Sequence, residues 1–466
     1  MVYHRTIFFS VSNPFILRNF LVVPDAAPYR LLRKGIRVIV LVPRQAHDRV
    51  QKDFGDRGFI IEPIFVNWKK NVPQRAYTFF SSYLNMTDHQ RLLAWCGIRN
   101  DIPVAGGKKF LYPAKLAVAN TLGKWDWFRN TCIAALDPLV YRERPYKELF
   151  EKYKPDLVFL PDFHNVQDLA LLREAKRQKV KTIGMPGSWD HFVKRYEPVK
   201  LDTLLVWNEP VKKEAVVLQG YKEENVYVTG SAYYDLFVRR EIYWPREAFC
   251  EKFGLDPRKK IIFFISRGRY TPNDGEIVDI MLKAIKNRRL VAAAQIFVRP
   301  YPGINTEHPK FDQFENEPLV YTDWIEPIKI FGHSGFAWYP TLSDVIHFVN
   351  CLYHADIVIN TFSSVSIEAS VFLKPIINIF FDGYEVLPFE RSVRRGGDFP
   401  HFRHVDETGG IFTVSNTDEL INTINACFKD PDINRKKVEA LRERMTFRAD
   451  GKANERIAGH IINALS

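Results

Sequence analysis

Residues 354–383, HADIVINTFSSVSIEASVFLKPIINIFFDG, hold a short apolar run, a hydroxyl-rich turn, a helix-length segment and a second apolar run. Parallel strands need a crossover between them, and a helix supplies it, so this order is one repeat of a parallel α/β sheet. The same alternation recurs outward in both directions. KKIIFFIS (259–266) and AAQIFVRP (293–300) precede it as further strands. Further upstream lie TIFFSV (6–11), IRVIVLV (36–42), PDLVFL (155–160), KTIGM (181–185) and NVYVTG (225–230), with helical segments at 165–178 and 209–220. Apolar strand runs lapse between Arg239 and Lys260, where charges collect with Pro245 and Pro257. Breakers without strand signal mark a boundary. The expected organisation is a Rossmann-like lobe over residues 1–240, a second over 241–445, and a terminal helix over 446–466 that packs back on the first.

The 466 residues are 46% hydrophobic and 26% charged, which excludes disordered and collagen-like classes and allows two or three domains with real cores. No run of eighteen uncharged apolar residues occurs, and Asn13, Pro14, Arg18 and Asn19 interrupt the N-terminal apolar blocks. A cytoplasmic protein is expected. Five widely separated cysteines suit neither a disulfide framework nor a zinc site. The formal charge of +12 favours nucleic acid, anionic lipid or a phosphorylated small molecule, and local sequence must choose among them.

That choice falls on the strand ends. Ser363, Ser364 and Val365 stand at a helix start, where free N–H groups attract anions. Glu368 follows Ser364 on the same helical face, placed to accept hydrogen bonds from a ribose diol; plain helix capping is the alternative. Ser266, Arg267, Gly268 and Arg269 end one strand and Arg299 another, so three strand ends carrying Ser, Arg and a helix start describe an anionic pocket. In the first half no GxGxxG or GxxxxGK[ST] motif occurs, which disfavours dehydrogenases and P-loop NTPases. It offers instead PDFHN (161–165) and GMPGSWDHF (184–192) at two strand ends. Asp162, His164, Asp190 and His191 can meet there, and a His paired with an Asp suits general-base work. A polar turn capped by Asp190 is the competing reading. No HExxH, DxD with neighbouring acidic residues, or Cys/His cluster suggests a bound metal, so neither metal nor cofactor is expected.

Residues 66–148 depart from the alternation and read as a helical insertion mixing Trp, Phe and Tyr with Lys and Arg. It is either a covering layer or a docking surface for an acceptor, a lipid headgroup or a partner. Trp68, Lys69, Lys70, Lys108, Lys109, Phe110 and Tyr112 form the mixture suited to peripheral contact with the inner face of a membrane.

From Pro155 onward the chain resembles the two-lobed GT-B glycosyltransferase superfamily. Within it, the likeness is to bacterial surface-carbohydrate transferases related to the CDP-glycerol glycerophosphotransferases, whose fold UDP-N-acetylglucosamine 2-epimerase shares. GSWD (187–190), VWNEPVKKEA (206–215), VTGSAYYD (228–235), VRPYP (298–302), NTFSSVSIEASVFLKPIIN (360–378) and DGKANERI (450–457) carry the resemblance. It implies that Arg299, Ser363, Ser364 and Glu368 hold the donor's phosphates and ribose and that the GSWD turn lies at the catalytic cleft. At Tyr301 such relatives commonly show His. The expected activity is metal-independent transfer of a sugar from a nucleotide-sugar donor to a hydroxyl of an envelope glycan or lipid-linked acceptor. The catalytic groups are Asp190, His191 and His164; Ser266, Arg267, Arg299, Ser363, Ser364 and Glu368 bind the donor, and nucleic acid is not among the partners. Glycerol- or ribitol-phosphate transfer from a CDP-activated donor is the alternative reaction, and a noncatalytic nucleotide sensor the alternative class.

Overall fold

The computed structural model describes residues 5–65, 69–96, 98–99, 102–103, 111–301, 308–325, 328, 331 and 338–466. Trp68, Lys108, Lys109 and Phe110 of the insertion, and Pro302 after the Arg299 strand, lie outside the described residues.

Alternating apolar runs and helices produce two parallel sheets. The first contains β1 (Arg5–Ser10), β2 (Ile36–Pro43), β3 (Ile60–Ile64), β4 (Leu157–Leu160), β5 (Lys181–Gly184), β6 (Thr203–Val206) and β7 (Val226–Val228). Their order across the sheet is β3-β2-β1-β4-β5-β6-β7. The second contains β8 (Lys260–Ile265), β9 (Ala294–Arg299), β10 (Val320–Thr322), β11 (Ile357–Asn360), β12 (Ile376–Ile379) and β13 (Phe412–Val414), ordered β10-β9-β8-β11-β12-β13. Each sheet reverses direction of growth beside its first strand. Phe8 pairs with Ile39 on one side and Val158 on the other; Phe263 pairs with Phe297 and Val358. Two flanking crossovers diverge at that point and leave a crevice beyond the strands' carboxyl ends.

The helices that matter for the site are α1 (Pro14–Leu17), α2 (Val166–Arg177), α3 (His191–Lys194), α4 (Leu342–His354), α5 (Val365–Val371), α6 (Pro400–Asp406), α7 (Arg435–Thr446) and α8 (Ala453–Leu465). Asn13 starts α1 by accepting hydrogen bonds from the Phe15 and Ile16 amides, with Pro14 pre-set for the first turn. Strands buried on both faces are apolar throughout, and β8 shows why. Ile261, Phe263 and Ile265 join a core continuous with the first lobe, while Ile262 and Phe264 join a second core beneath α-helices of the other face. Each such side chain contributes about 1.5–3 kcal/mol by leaving water.

The chain crosses between lobes twice. It leaves the first after β7, and near its end α8 returns to it. Asp235 accepts from the Ala453 amide at 2.9 Å and the Asn454 amide at 2.8 Å, while the Asn454 side chain accepts from the Ala27 amide at 2.9 Å. Within the insertion, helices at Val72–Leu84, Asp88–Cys96, Tyr112–Asn120 and Ile133–Val140 stand beside the first sheet. Gln90 donates to the Lys194 carbonyl at 2.9 Å, which seats the insertion on α3. Tyr77, Leu84 and Ile133 supply its small core, while Trp95, Trp125 and Trp127 are exposed. No helix among the described residues is long and apolar enough to cross a membrane.

Candidate active site

At the carboxyl end of β11, Asn360 and Asn378 organise the turn. The Ser363 amide donates to Asn360 Oδ1 at 3.2 Å and the Phe362 amide to Asn378 Oδ1 at 2.7 Å, which holds Phe362 at φ +43. Ser364 is the N-cap residue of α5, yet its hydroxyl caps nothing; it is exposed. Glu368, one turn further, is buried and makes no side-chain hydrogen bond among the described residues. Burial pushes its carboxyl up to about 7, against the opposing charges of Arg18 and Arg299. Arg18 comes from the first lobe, just after α1. Its guanidinium lies 3.4 Å from the centre of the Tyr233 ring, with Phe15 and Trp338 at 5.3 and 5.8 Å.

The other residues expected at a donor site divide. Arg299 is buried, ion-paired with Asp323 and 5.1 Å from the Phe348 ring; Asp323 also stands 3.1 Å from His347 Nε2. Arg299 therefore acts on the Glu368 pocket from behind an existing partner. Ser266 donates to Asp274 at 2.6 Å and accepts from the Gly268 amide at 3.0 Å, a network that shapes the turn after β8. Gly268 has φ +69, and a side chain there would meet Tyr301 at 3.0 Å, so the turn and Tyr301 are fitted to each other. Arg267 projects from this turn, 5.2 Å from the Tyr270 ring.

On the facing lobe, PDFHN and GSWDH come together at the ends of β4 and β5. Asp162 Oδ2 accepts from Asn13 at 2.9 Å, and its Oδ1 lies 3.2 Å from both the amide and Nδ1 of His164. His164 Nδ1 is 3.0 Å from His191 Nδ1. Burial would raise the Asp162 carboxyl, but His164 and His191 hold it well below the usual range. Burial, then the neighbouring His164, lowers His191 well below an ordinary imidazole. Behind them Asp168 is buried, accepting from Ser10, Ser12 and Asn165, and burial brings its carboxyl up to about 7.

Asp190 points elsewhere. Its Oδ2 is 2.6 Å from Lys194 Nζ, one turn along α3, and 4.0 Å from His401 Nε2 on α6 of the second lobe. Although burial would raise it, Lys194 and then His401 keep this carboxyl well below its ordinary value. Trp189 packs 5.1 Å from the His401 ring and 5.5 Å from Phe402. The GSWD turn is thus one of the places where the lobes touch. Arg18, Lys194 and His401 were not singled out from sequence; only Lys194, at i+4 from Asp190, left a local signal.

The profile of the family described as CDP-glycerol:poly(glycerophosphate) glycerophosphotransferase matches residues 194–463, more than half of the chain. The chain belongs to this family. No curated protein sequence matches it. Among solved structures, a putative UDP-N-acetylglucosamine 2-epimerase from Listeria monocytogenes superposes with a TM-score of 0.54 at 12% identity, covering 99% of this chain and 96% of that one. The S. aureus MnaA–UDP co-structure gives 0.52 at 15% identity over 99% and 97%, and a glycosyltransferase from Rickettsia africae 0.51 at 14% over 99% and 99%. At these identities the likeness is one of fold. This glycerophosphotransferase-family member has the GT-B arrangement expected of it, and it is a transferase by family.

Proposed function

We propose that the chain moves a glycosyl unit from a nucleotide-activated donor, held by the second lobe, to a hydroxyl of a cell-envelope glycan or lipid-linked acceptor presented by the first. Glu368 carries this reading. It is a buried carboxylate with no hydrogen-bond partner among the described residues, and Arg18 of the opposite lobe and Arg299 act on it through their charge. A ribose diol supplies the two donors such a group lacks, and a diphosphate suits the guanidinium. Cations around the diphosphate stabilise the leaving group's charge. The Asp162, His164 and His191 cluster faces the same crevice and receives the acceptor hydroxyl. Asp190, held by Lys194 and His401, positions the two walls.

Family membership favours a second reaction, transfer of glycerol phosphate from a CDP-activated donor. Tyr301, fitted against Gly268, stands where relatives of that type commonly show His. Incubation with UDP-, GDP-, dTDP- and CDP-linked donors and a polyprenyl-linked saccharide, read by nucleotide release and product mass, tests both. A hexose- or hexosamine-sized mass increase is expected. A glycerol-phosphate increase would replace the first reading with the second, and no nucleotide release from any donor would refute both.

A further inference from the structure

His164 sits between two carboxylates. Its Nδ1 is 3.2 Å from Asp162 Oδ1, and its Nε2 is 3.8 Å from Glu197 Oε1. Neither Nε2 nor Glu197 Oε1, both buried, has a hydrogen-bond partner among the described residues. A neutral imidazole carries one N–H. Whichever nitrogen holds it, the other turns a lone pair toward a carboxylate oxygen, an arrangement that costs free energy in a dry environment. His191 deepens the conflict, because its Nδ1 also faces His164 Nδ1 at 3.0 Å and stands 4.0 Å from Asp162 Oδ1.

A cation at the focus of the three atoms resolves all of this. We propose that Asp162 Oδ1, His164 Nδ1 and His191 Nδ1 form a binding site for a divalent transition-metal ion, open toward the crevice between the lobes. The three atoms lie within 4.8 Å of one another. Ligands about 2.0–2.1 Å from a tetrahedral ion sit roughly 3.3 Å apart, close to the separations here. Two imidazoles and one carboxylate select a nitrogen-accepting first-row ion such as Zn2+, Co2+ or Ni2+. With both Nδ1 lone pairs on the ion, the N–H of His164 is fixed on Nε2 and directed at Glu197. A ligating histidine usually donates its other N–H to a carboxylate or carbonyl, which fixes its tautomer and ring orientation. Asn13, donating to Asp162 Oδ2 at 2.9 Å, and the His164 amide, donating to Oδ1 at 3.2 Å, fix the third ligand, and the second lone pair of Oδ1 is available to the ion. Arg195, which donates to the His164 carbonyl at 2.7 Å and lies 3.9 Å from Glu197, opposes a cation; Asp162, 3.2 Å from His164, favours it. The other His-Cys-Asp group, Asp323, His347 and Cys351, differs because the Arg299 guanidinium already occupies Asp323.

The role of the ion rests on the function proposed above: bound beside the acceptor's place, it lowers the pKa of the attacking hydroxyl. Its existence can be tested without turnover. The full chain, stripped by a chelator, is titrated with Co2+ while visible ligand-field absorption and bound metal are measured. One equivalent per chain is expected, competed by Zn2+, and at least tenfold weaker in His191→Ala, whose side chain is 24% exposed and whose removal leaves the core intact. Cys351→Ala should bind Co2+ as the parent does. Melting profiles and nucleotide binding confirm that each variant is folded. Absence of one-equivalent uptake, equal uptake by a folded His191→Ala, or loss in Cys351→Ala instead overturns the proposal, the first leaving a protonated His164 between the two carboxylates. A chain that binds Co2+ but releases no nucleotide from any donor sinks the proposed function alone; nucleotide release from a chain that takes up no metal sinks the ion site alone.

Discussion

Replacing Glu368 by Gln separates what this residue does for the donor from what it does to the fold. Its carboxyl is brought to about 7 by burial from an ordinary 4.5. The sign follows directly: between those values the folded state holds a proton that the unfolded state has released, so stability falls as pH rises from about 4.5 to 7. Integrated from pH 5 to pH 8, the shift costs the parent roughly 2–3 kcal/mol. The residue is 8% exposed, so solvent screening does little to reduce this. Gln does not titrate, and the stability of Glu368→Gln relative to the parent should therefore climb by about 2–3 kcal/mol over the same interval. Urea denaturation of both proteins at pH 5 and pH 8 measures it. Nucleotide binding by calorimetry should move oppositely: the charged hydrogen bonds lost are worth about 1–3 kcal/mol, or five- to hundredfold in Kd. Parallel pH profiles for the two proteins, with unchanged nucleotide affinity in the variant, would refute both the isolation of Glu368 and its role toward a ribose.

Nucleotide binding by the second lobe should survive EDTA, because the proposed ion site stands on the first lobe, and should weaken about tenfold in Arg18→Ala through loss of one charged contact; calorimetry with and without chelator decides, and abolition by EDTA counts against the arrangement. Asp190→Asn should reduce turnover about 100-fold or more while leaving nucleotide affinity in place, since its partners Lys194 and His401 belong to opposite walls; near-normal kcat would make the contact merely structural. For the insertion, salt-sensitive sedimentation with anionic vesicles is expected from exposed Trp95, Trp125 and Trp127 beside its lysines. Equal failure to bind anionic and neutral vesicles would make it a covering layer.

Strands with continuous apolar runs were legible in the sequence: β1, β2, β4, β8, β9, β11 and β12 all coincide with runs of Ile, Val, Leu and Phe. Four others were not. β3 reads IIEPI, with Glu62 and Pro63 interrupting the pattern; β10 and β13 are three residues each, too short for periodicity to register, while β6, TLLV, is as long as β4 and length does not explain its absence from the sequence reading. The pairing of PDFHN with GSWDH was readable because both follow strands that neighbour in the sheet. The partner of Asp190 across the crevice was not, because His401 lies on a helix of the other lobe with no sequence pattern linking the two. The same limit hides the meeting of His164 and His191: they are 27 residues apart in sequence, and the crossover through α2 brings their Nδ1 atoms to 3.0 Å.

The return of α8 to the first lobe restricts how the crevice can open. A single connection between lobes acts as a ball joint, free to swivel and tilt. Here there are two, the segment after β7 and the stretch from α7 to α8 pinned by Asp235 and Asn454. Two pinned straps define an axle. Any opening would then be a rotation about one line, like a book turning on its spine, and closure would bring Asp190 back to His401 along the same arc.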